Sequence, residues 1–262
     1  MLENRRKAYK AVKAATVAIC LHQPDGRLIP FGSGINVDPK GVVVTCKHVI
    51  EGAQVLRDSE VHRPKLPRTS QGVKSGIVLM HDIVAVFSLF RNEVLEIGIG
   101  RFEVIHGPHD SDLAVGRLRP DTALPAVKLG NSDDVFEGQL VFTCGFPLGA
   151  DLQIDEPVGA LFHRGIVSGI RPHYLAQRRH QLLLDISINP GNSGGPLCSE
   201  DNGELIGIIN ARIQDAGLPT GIGCAVPANL IRPLVERVSM IGDDQLEGMR
   251  SGIWPFDKPS KT

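Results

Sequence analysis

The sequence predicts an all-β fold, either one large β domain or two small barrels, and three observations carry that expectation. The 262 residues include 29 glycines and 18 prolines, above the usual share of these two types, as many short strands joined by tight turns require. From Ala15 onward, β-branched and aliphatic runs of strand length alternate with turn signals. After the N-terminal arm, only PANLIRPLVERV at 227–238 carries apolar residues at helical spacing. A chain of 28.3 kDa has ample core for such a fold without covalent staples.

In chain order, residues 3–14 place Tyr9, Val12 and Ala15 at helical spacing among Lys and Arg, which fits a short helix and a frayed arm equally. TVAICL, a PDG turn, LIPFGSGINVD, a PKG turn and GVVVTCKHVI then read as consecutive antiparallel strands. The stretch 57–75, RDSEVHRPKLPRTSQGVKS, is polar and basic with prolines, and predicts an exposed loop open to nicking. Further strands are expected at 76–80, 83–89, 93–98, 113–117, 139–144, 165–170, 182–188 and 204–213. RPDTALPAVKLGNSDD marks a division near 120–130. The expected units are an arm or helix at 1–14, a first barrel at 15–125, a second barrel with its C-terminal helix at 126–240, and an irregular tail at 241–262. The C-terminal helix has a proline near its start, where a missing amide is harmless.

Charge is nearly balanced, 28 Lys and Arg against 29 Asp and Glu, for a formal net charge of -1. No global field then draws in nucleic acid or an anionic membrane surface. Five cysteines, Cys20, Cys46, Cys144, Cys198 and Cys224, are odd in number and widely spaced, without a CxxC pair or metal-ligand spacing. They read as reduced, buried thiols. The basic N-terminus lacks the apolar core and cleavage site of a secretory leader, and no later run has membrane-spanning length. The expectation is a cytoplasmic protein without a membrane partner.

NPGNSGGPL at 189–197 sets one serine among glycines and between two prolines. Glycine opens backbone angles closed to other residues and lets a second backbone come close, while Pro190 and Pro196 stiffen the approach and the exit. Ser193 is thereby presented as a nucleophile, and a serine nucleophile needs a base, an orienting acid and oxyanion donors. His48 closes the run GVVVTCKHVI, and Asp112 stands where HDSD feeds into LAV. Singly, each has an ordinary reading, a packed histidine and a turn cap. In the chain order histidine, aspartate, serine, the three support one another. His106, His109 and Asp110 in HGPHDSD are metal-ligand types without a second cluster, so a solvated turn and no metal is expected there. Arg164, Arg171, His173, Arg178, Arg179 and His180 make a basic stretch, read as a solvated loop or a contact for acidic segments.

Together these segments resemble the trypsin-like serine proteases, and within them the HtrA or Deg type. GSGINVDPKGVVVTCKHVI is similar to that family's Gly-Ser-Gly strand leading to its catalytic histidine, and DSDLAV to its catalytic aspartate and the strand that follows. GFPLG at 145–149 and GIVSGIR at 165–171 resemble the start of its second barrel. DISINPGNSGGPL, GELIGI and GIGCAVPANLI resemble its nucleophile loop, the next strand, and the strand entering the C-terminal helix.

The resemblance implies two six-stranded antiparallel barrels of chymotrypsin type with a short C-terminal helix. It implies a serine endopeptidase acting on unfolded or flexible protein segments, with His48 as general base, Asp112 as the acid that orients it, and Ser193 as nucleophile. Gly191, Asn192 and Ser193 match the oxyanion loop. A homotrimer is the family's common assembly, and no metal or organic cofactor is implied. Ser187, at the position matching the base of the primary specificity pocket, is neutral and argues against a basic substrate side chain. Gly223, Asn210, Ala211 and Arg212 match the pocket walls and Ile188 lies beside its floor, so small to medium apolar P1 residues are expected. An inward Arg212 would favour an acidic group instead.

The interval from His48 to Asp112 exceeds the family's usual one, implying an inserted segment within 57–105. Asp110 is a rival for the acid role; Asp112 is preferred because it directly precedes LAV. No PDZ domain fits into the residues after the helix, so capture of peptide ends by that route is not expected. The competing expectation is a latent protease-fold module that binds or holds unfolded protein, and a third is an esterase. Turnover of unfolded casein separates them.

Overall fold

The computed structural model describes residues 2–22, 28–61, 82–91, 94–101, 103–106, 112–118, 123–147, 160–172, 179–215 and 218–242. The N-terminal segment is a helix, α1 (Leu2–Ala15), rather than an arm. It stops where the β-branched run begins, and the Thr16 hydroxyl donates to Val12 O at 2.8 Å. That bond occupies a carbonyl of the last turn as the chain enters β1 (Thr16–His22). β2 (Leu28–Asp38) and β3 (Val42–Thr45) follow as antiparallel neighbours.

After β3 the structure departs from the strand expected through residue 50. Lys47–Val61 forms a second helix, α2, and it places His48 in a first helical turn rather than at a strand end. The physical reason lies in the spacing of Val49, Ile50 and Ala53, which puts all three on one buried face at 2%, 0% and 0% exposure. α2 also claims residues 57–61 of the expected loop; 62–75 and the strand expected at 76–80 lie outside the described residues.

β4 (Asp82–Arg91), β5 (Val94–Arg101), β6 (Glu103–His106) and β7 (Ala114–Arg117) complete a seven-stranded antiparallel sheet in the order β5-β4-β1-β2-β3-β7-β6. Its two edge strands are consecutive in the chain, with only residue 102 between them. Among the described residues this unit is an open sheet of seven strands where a six-stranded barrel was expected. β8 (Leu140–Gly145), β9 (Leu161–Pro172), β10 (Arg179–Leu184), β11 (Pro196–Ser199), β12 (Leu205–Asp215) and β13 (Leu218–Pro227) form a closed six-stranded barrel in the order β10-β13-β12-β11-β8-β9. β10 stops at Leu184, short of the expected 188.

α3 (Ala228–Ser239) buries Ile231, Leu234, Val235 and Val238 against β3, β7 and β12, and so touches both sheets. Arg117 on β7 donates through Nη1 to Ile241 O just beyond it, at 2.5 Å. The largest core cluster joins first-sheet residues such as Ile19, Ile35 and Leu113 to Phe142, Cys144, Leu205 and Ile208 of the second, so the two halves share apolar packing. A separate cluster of Val141, Val167, Leu182, Leu184, Leu197 and Ile209 fills the closed barrel. All five cysteines are free and buried.

Candidate active site

His48 and Asp112 meet although 62–81 and 107–111, between them in the chain, lie outside the described residues. The helix start supplies His48, and the residue preceding β7 by two supplies Asp112. Two contacts join them. The His48 amide donates to Asp112 Oδ1 at 3.1 Å, and His48 Nδ1 lies 2.8 Å from Asp112 Oδ2. One carboxylate thus fixes both the backbone and the ring of the histidine, and selects the tautomer with its proton on Nδ1. The rival Asp110 lies outside the described residues.

That contact sets the electrostatics. The Asp112 hydrogen bond raises the His48 pKa above its ordinary value, burial opposes it, and the charges of Asp112 and Glu51 add to the rise. Cys46 lies beneath the pair: its thiol, His48 and Asp112 place donor atoms within 4.8 Å of one another. Such atoms are metal-ligand types, but the thiol already donates to Ile209 O at 3.2 Å, and burial together with Asp112 pushes its pKa well up. The cysteine therefore behaves as a neutral packed group tying the end of β3 to β12.

The loop that carries Ser193 is held from both sides. The Gly194 amide donates to Ile209 O at 2.7 Å, the Gly195 amide to Asn192 O at 2.9 Å, and the Asn192 amide to Asn189 O at 3.0 Å. Gly191 and Gly194 have φ of 95° and 85°, angles that side chains rarely tolerate. A Cβ on Gly191 would fall on Phe146 O, and one on Gly194 on Ser33 O and Thr45 Oγ1. Among the described residues the amides of Gly191 and Ser193 have no acceptor. They are the two that the sequence resemblance assigns to the oxyanion hole.

Ser193 and the His48 segment approach one another across Gly32. A Cβ built on Gly32 would lie 2.8 Å from Ser193 O and 2.8 Å from Val49 Cγ2, so only a glycine fits between the Ser193 backbone and the residue after His48. Nothing in the composition singled out this glycine. Nor did it single out Ser33, whose amide donates to Ser193 O at 2.8 Å. The signal was present in the Gly-Ser-Gly stretch of β2, where small residues mark close backbone approach.

The expected pocket residues are brought together in part. Arg212 pairs with Gly223 and Ala211 with Cys224 across β12 and β13. Gly223 lies against Ile188: a Cβ there would be 2.6 Å from Ile188 Cγ1. Ser187 is exposed, Ile188 is buried, and Asn210 and Ala211 are half-buried. The Arg212 side chain lies outside the described residues, as do residues 107–111 with His109 and the segment 173–178 with His173 and Arg178. Of the basic stretch, Arg164 is not simply solvated, since it pairs with buried Glu200 at 2.9 Å.

A model of the trypsin-like peptidase domain matches residues 32–208. The chain belongs to the trypsin-like peptidase family. HtrA-type proteases are among its relatives. It is 32% identical over 207 residues to the magnetosome formation protease MamE of Paramagnetospirillum magneticum, covering 73% of this chain and 27% of that protein. It is 28% identical over 235 residues to the serine protease Do-like HtrA of Bacillus subtilis, covering 86% and 42%. The HtrA-type protease AlgW, solved with a tripeptide, matches with a TM-score of 0.60 and 25% identity over 90% of this chain and 64% of that one. This trypsin-like peptidase chain therefore spans between about a quarter and two-fifths of these two curated relatives. Among its described residues no helix is long and apolar enough to cross a membrane.

Proposed function

We propose that this chain is a serine endopeptidase that cuts unfolded or flexible protein segments through Ser193, His48 and Asp112. The observation that carries the reading is the 2.8 Å contact between His48 Nδ1 and Asp112 Oδ2, because it leaves Nε2 unprotonated to act as base. Neutral His48 takes the Ser193 proton as the hydroxyl attacks a peptide carbonyl, and Asp112 stabilises the imidazolium that results. The Gly191 and Ser193 amides receive the oxyanion. His48 then returns its proton to the leaving amine, and water, activated the same way, releases the acyl group from Ser193. In this reading a first barrel at 15–125 supplies base and acid, and a second at 126–240 supplies the nucleophile.

The P1 preference follows from Ile188. With its side chain against Gly223, the space beside Ser187 suits small or medium apolar residues such as Val, Ala or Leu. The tripeptide in the AlgW structure supports peptides as the ligand class. Labelling with a fluorophosphonate and peptide mapping tests the reading. An adduct on Ser193 that is absent in Ser193→Ala, together with casein cleavage by the wild type alone, is the expected result. Casein binding with neither adduct nor cleavage would replace the enzyme by a protease-fold binding module.

A further inference from the structure

Ser33 is fully buried in β2, yet its polar atoms are all engaged, the hydroxyl and the amide with the second half of the molecule. Its hydroxyl donates to Gly191 O at 2.7 Å and accepts from the Phe146 amide at 2.9 Å. Its amide donates to Ser193 O at 2.8 Å, and its carbonyl accepts from the Thr45 hydroxyl at 2.7 Å. Two glycines of the second half give it room: a Cβ on Gly194 would fall on Ser33 O, and one on Gly145 would lie 2.9 Å from Ser33 Oγ.

We infer that Ser33 is a positioning residue for the oxyanion donors, a latch by which the first sheet sets the nucleophile loop of the second. Gly191 is the residue whose amide faces the oxyanion, and its backbone is free to rotate because it has no side chain. Two bonds restrict that freedom. The Asn192 amide is spent on Asn189 O, and the Gly191 carbonyl is spent on Ser33 Oγ. These bonds hold the 191–192 peptide and so fix the ψ side of Gly191; the Gly191 amide belongs to the adjoining 190–191 peptide, which is set beside the Ser193 amide from that fixed side. Without the hydroxyl, Gly191 O loses its partner and the 191–192 peptide is free to turn; with ψ of Gly191 no longer set, the adjoining 190–191 peptide, which carries the donor amide, shifts from the place where negative charge develops. The same hydroxyl holds the Phe146 amide, so the exit of β8 and the loop move together.

The inference rests on the protease reading above, and the test separates the two. Wild type and Ser33→Ala are compared for fluorophosphonate labelling, for steady-state cleavage of a peptide, and for inhibition by a peptide aldehyde whose adduct needs the oxyanion hole. Binding of the uncleaved peptide is measured in the Ser193→Ala background, with and without Ser33→Ala. The expected result is a fall in kcat of about ten- to a hundredfold, less than the loss of a donor outright. KM and peptide binding should stay within about twofold, and the aldehyde's inhibition constant should rise in parallel with the fall in kcat. Ser33→Cys, which keeps a weak donor of similar shape, should recover part of the rate, and it carries the comparison if the alanine variant does not fold. Equal labelling and kcat in wild type and variant would overturn the latch and leave the protease reading intact. A loss shared equally by peptide binding would also overturn it, since that marks general disorder of the site. No labelling of the wild type would overturn both.

Discussion

The ring of Tyr9 on α1 lies nearly flat on Phe142 of β8, with centroids 4.0 Å apart and planes 14° from parallel. Phe162 of β9 closes the stack at 4.9 Å from Tyr9, and Lys13 Nζ sits 5.8 Å from its centroid. Arg5 reaches the buried Glu200 at 3.2 Å, opposite Arg164. α1 also touches β2 and β4, so this helix fastens the first sheet to the second barrel at a place remote in sequence from the loop that Ser33 holds.

Tyr9→Ala should therefore destabilise the protein by about 2 to 4 kcal/mol, from the lost apolar surface, the lost stack and the cavity left behind. Tyr9→Phe keeps the stack and loses only the hydroxyl beside Glu200, at a cost of about 1 kcal/mol. Thermal melts of the two variants check this. Similar midpoints for Tyr9→Ala and wild type would mean that α1 is not fastened through its ring.

Asp112→Asn isolates the acid. The amide keeps an acceptor for the His48 backbone but offers the ring the wrong partner or the wrong tautomer, and kcat should fall by about ten-thousandfold, as it does for such triads generally. KM should change little, and so should the melting midpoint at pH values above the histidine's titration. A fall of less than tenfold would shift the acid role to another carboxylate, with Asp110 the first to try.

The order His48, Asp112, Ser193 was legible because each residue stands at the end of a strand-like run or in a glycine-proline turn, and such places survive any error in the strands around them. β2 was legible over all of Leu28–Asp38, since turn signals bound it on both sides. The start of α2 was not: GVVVTCKHVI is one unbroken apolar run, and periodicity cannot divide a strand from the helix that directly follows it. β11 was missed because Pro196 and the glycines before it read as a turn, and β13 was reached only through the resemblance of GIGCAVPANLI, since Pro219, Gly221 and Gly223 read as turns when taken locally. In the barrel these small residues serve close packing, as where Gly223 admits Ile188. Ser33 was quoted within its motif without a role, since its partners at Phe146, Gly191 and Ser193 are brought to it only by the meeting of the two halves.

The raised His48 pKa fixes the sign of two pH dependences. Catalysis requires the neutral ring, so kcat/KM should rise with pH, with its midpoint above the ordinary histidine value of about 6.5. Stability runs the other way: the charged ring's contact with Asp112 contributes fully below the unfolded-state pKa and is lost as pH rises through the folded value. Asp112→Asn should move the activity midpoint toward lower pH and flatten the stability profile across that window. A pH-rate profile and a histidine titration followed by NMR give both numbers. A profile flat between pH 5 and 8 would remove His48 as the base.

Ile188 tests the specificity reading. Its side chain is 7% exposed and lies against Gly223 while belonging to the barrel's interior cluster, so it serves the core and, in the proposed reading, also bounds the pocket. Ile188→Ala removes three carbons from that wall, and kcat/KM for a P1 Phe peptide should rise relative to P1 Val by about tenfold or more, at least what a single methylene commands in an apolar pocket. The same change should cost about 2 to 4 kcal/mol of stability through the cavity it leaves. Gly223→Ala works in the opposite direction: its Cβ would come 2.6 Å from Ile188 Cγ1, and the crowding should narrow acceptance toward Ala. Competition between Val, Phe and Ala peptides at one enzyme concentration measures the ratio directly. A ratio unmoved in Ile188→Ala despite a lower melting point would assign Ile188 to the core alone and place the pocket wall elsewhere.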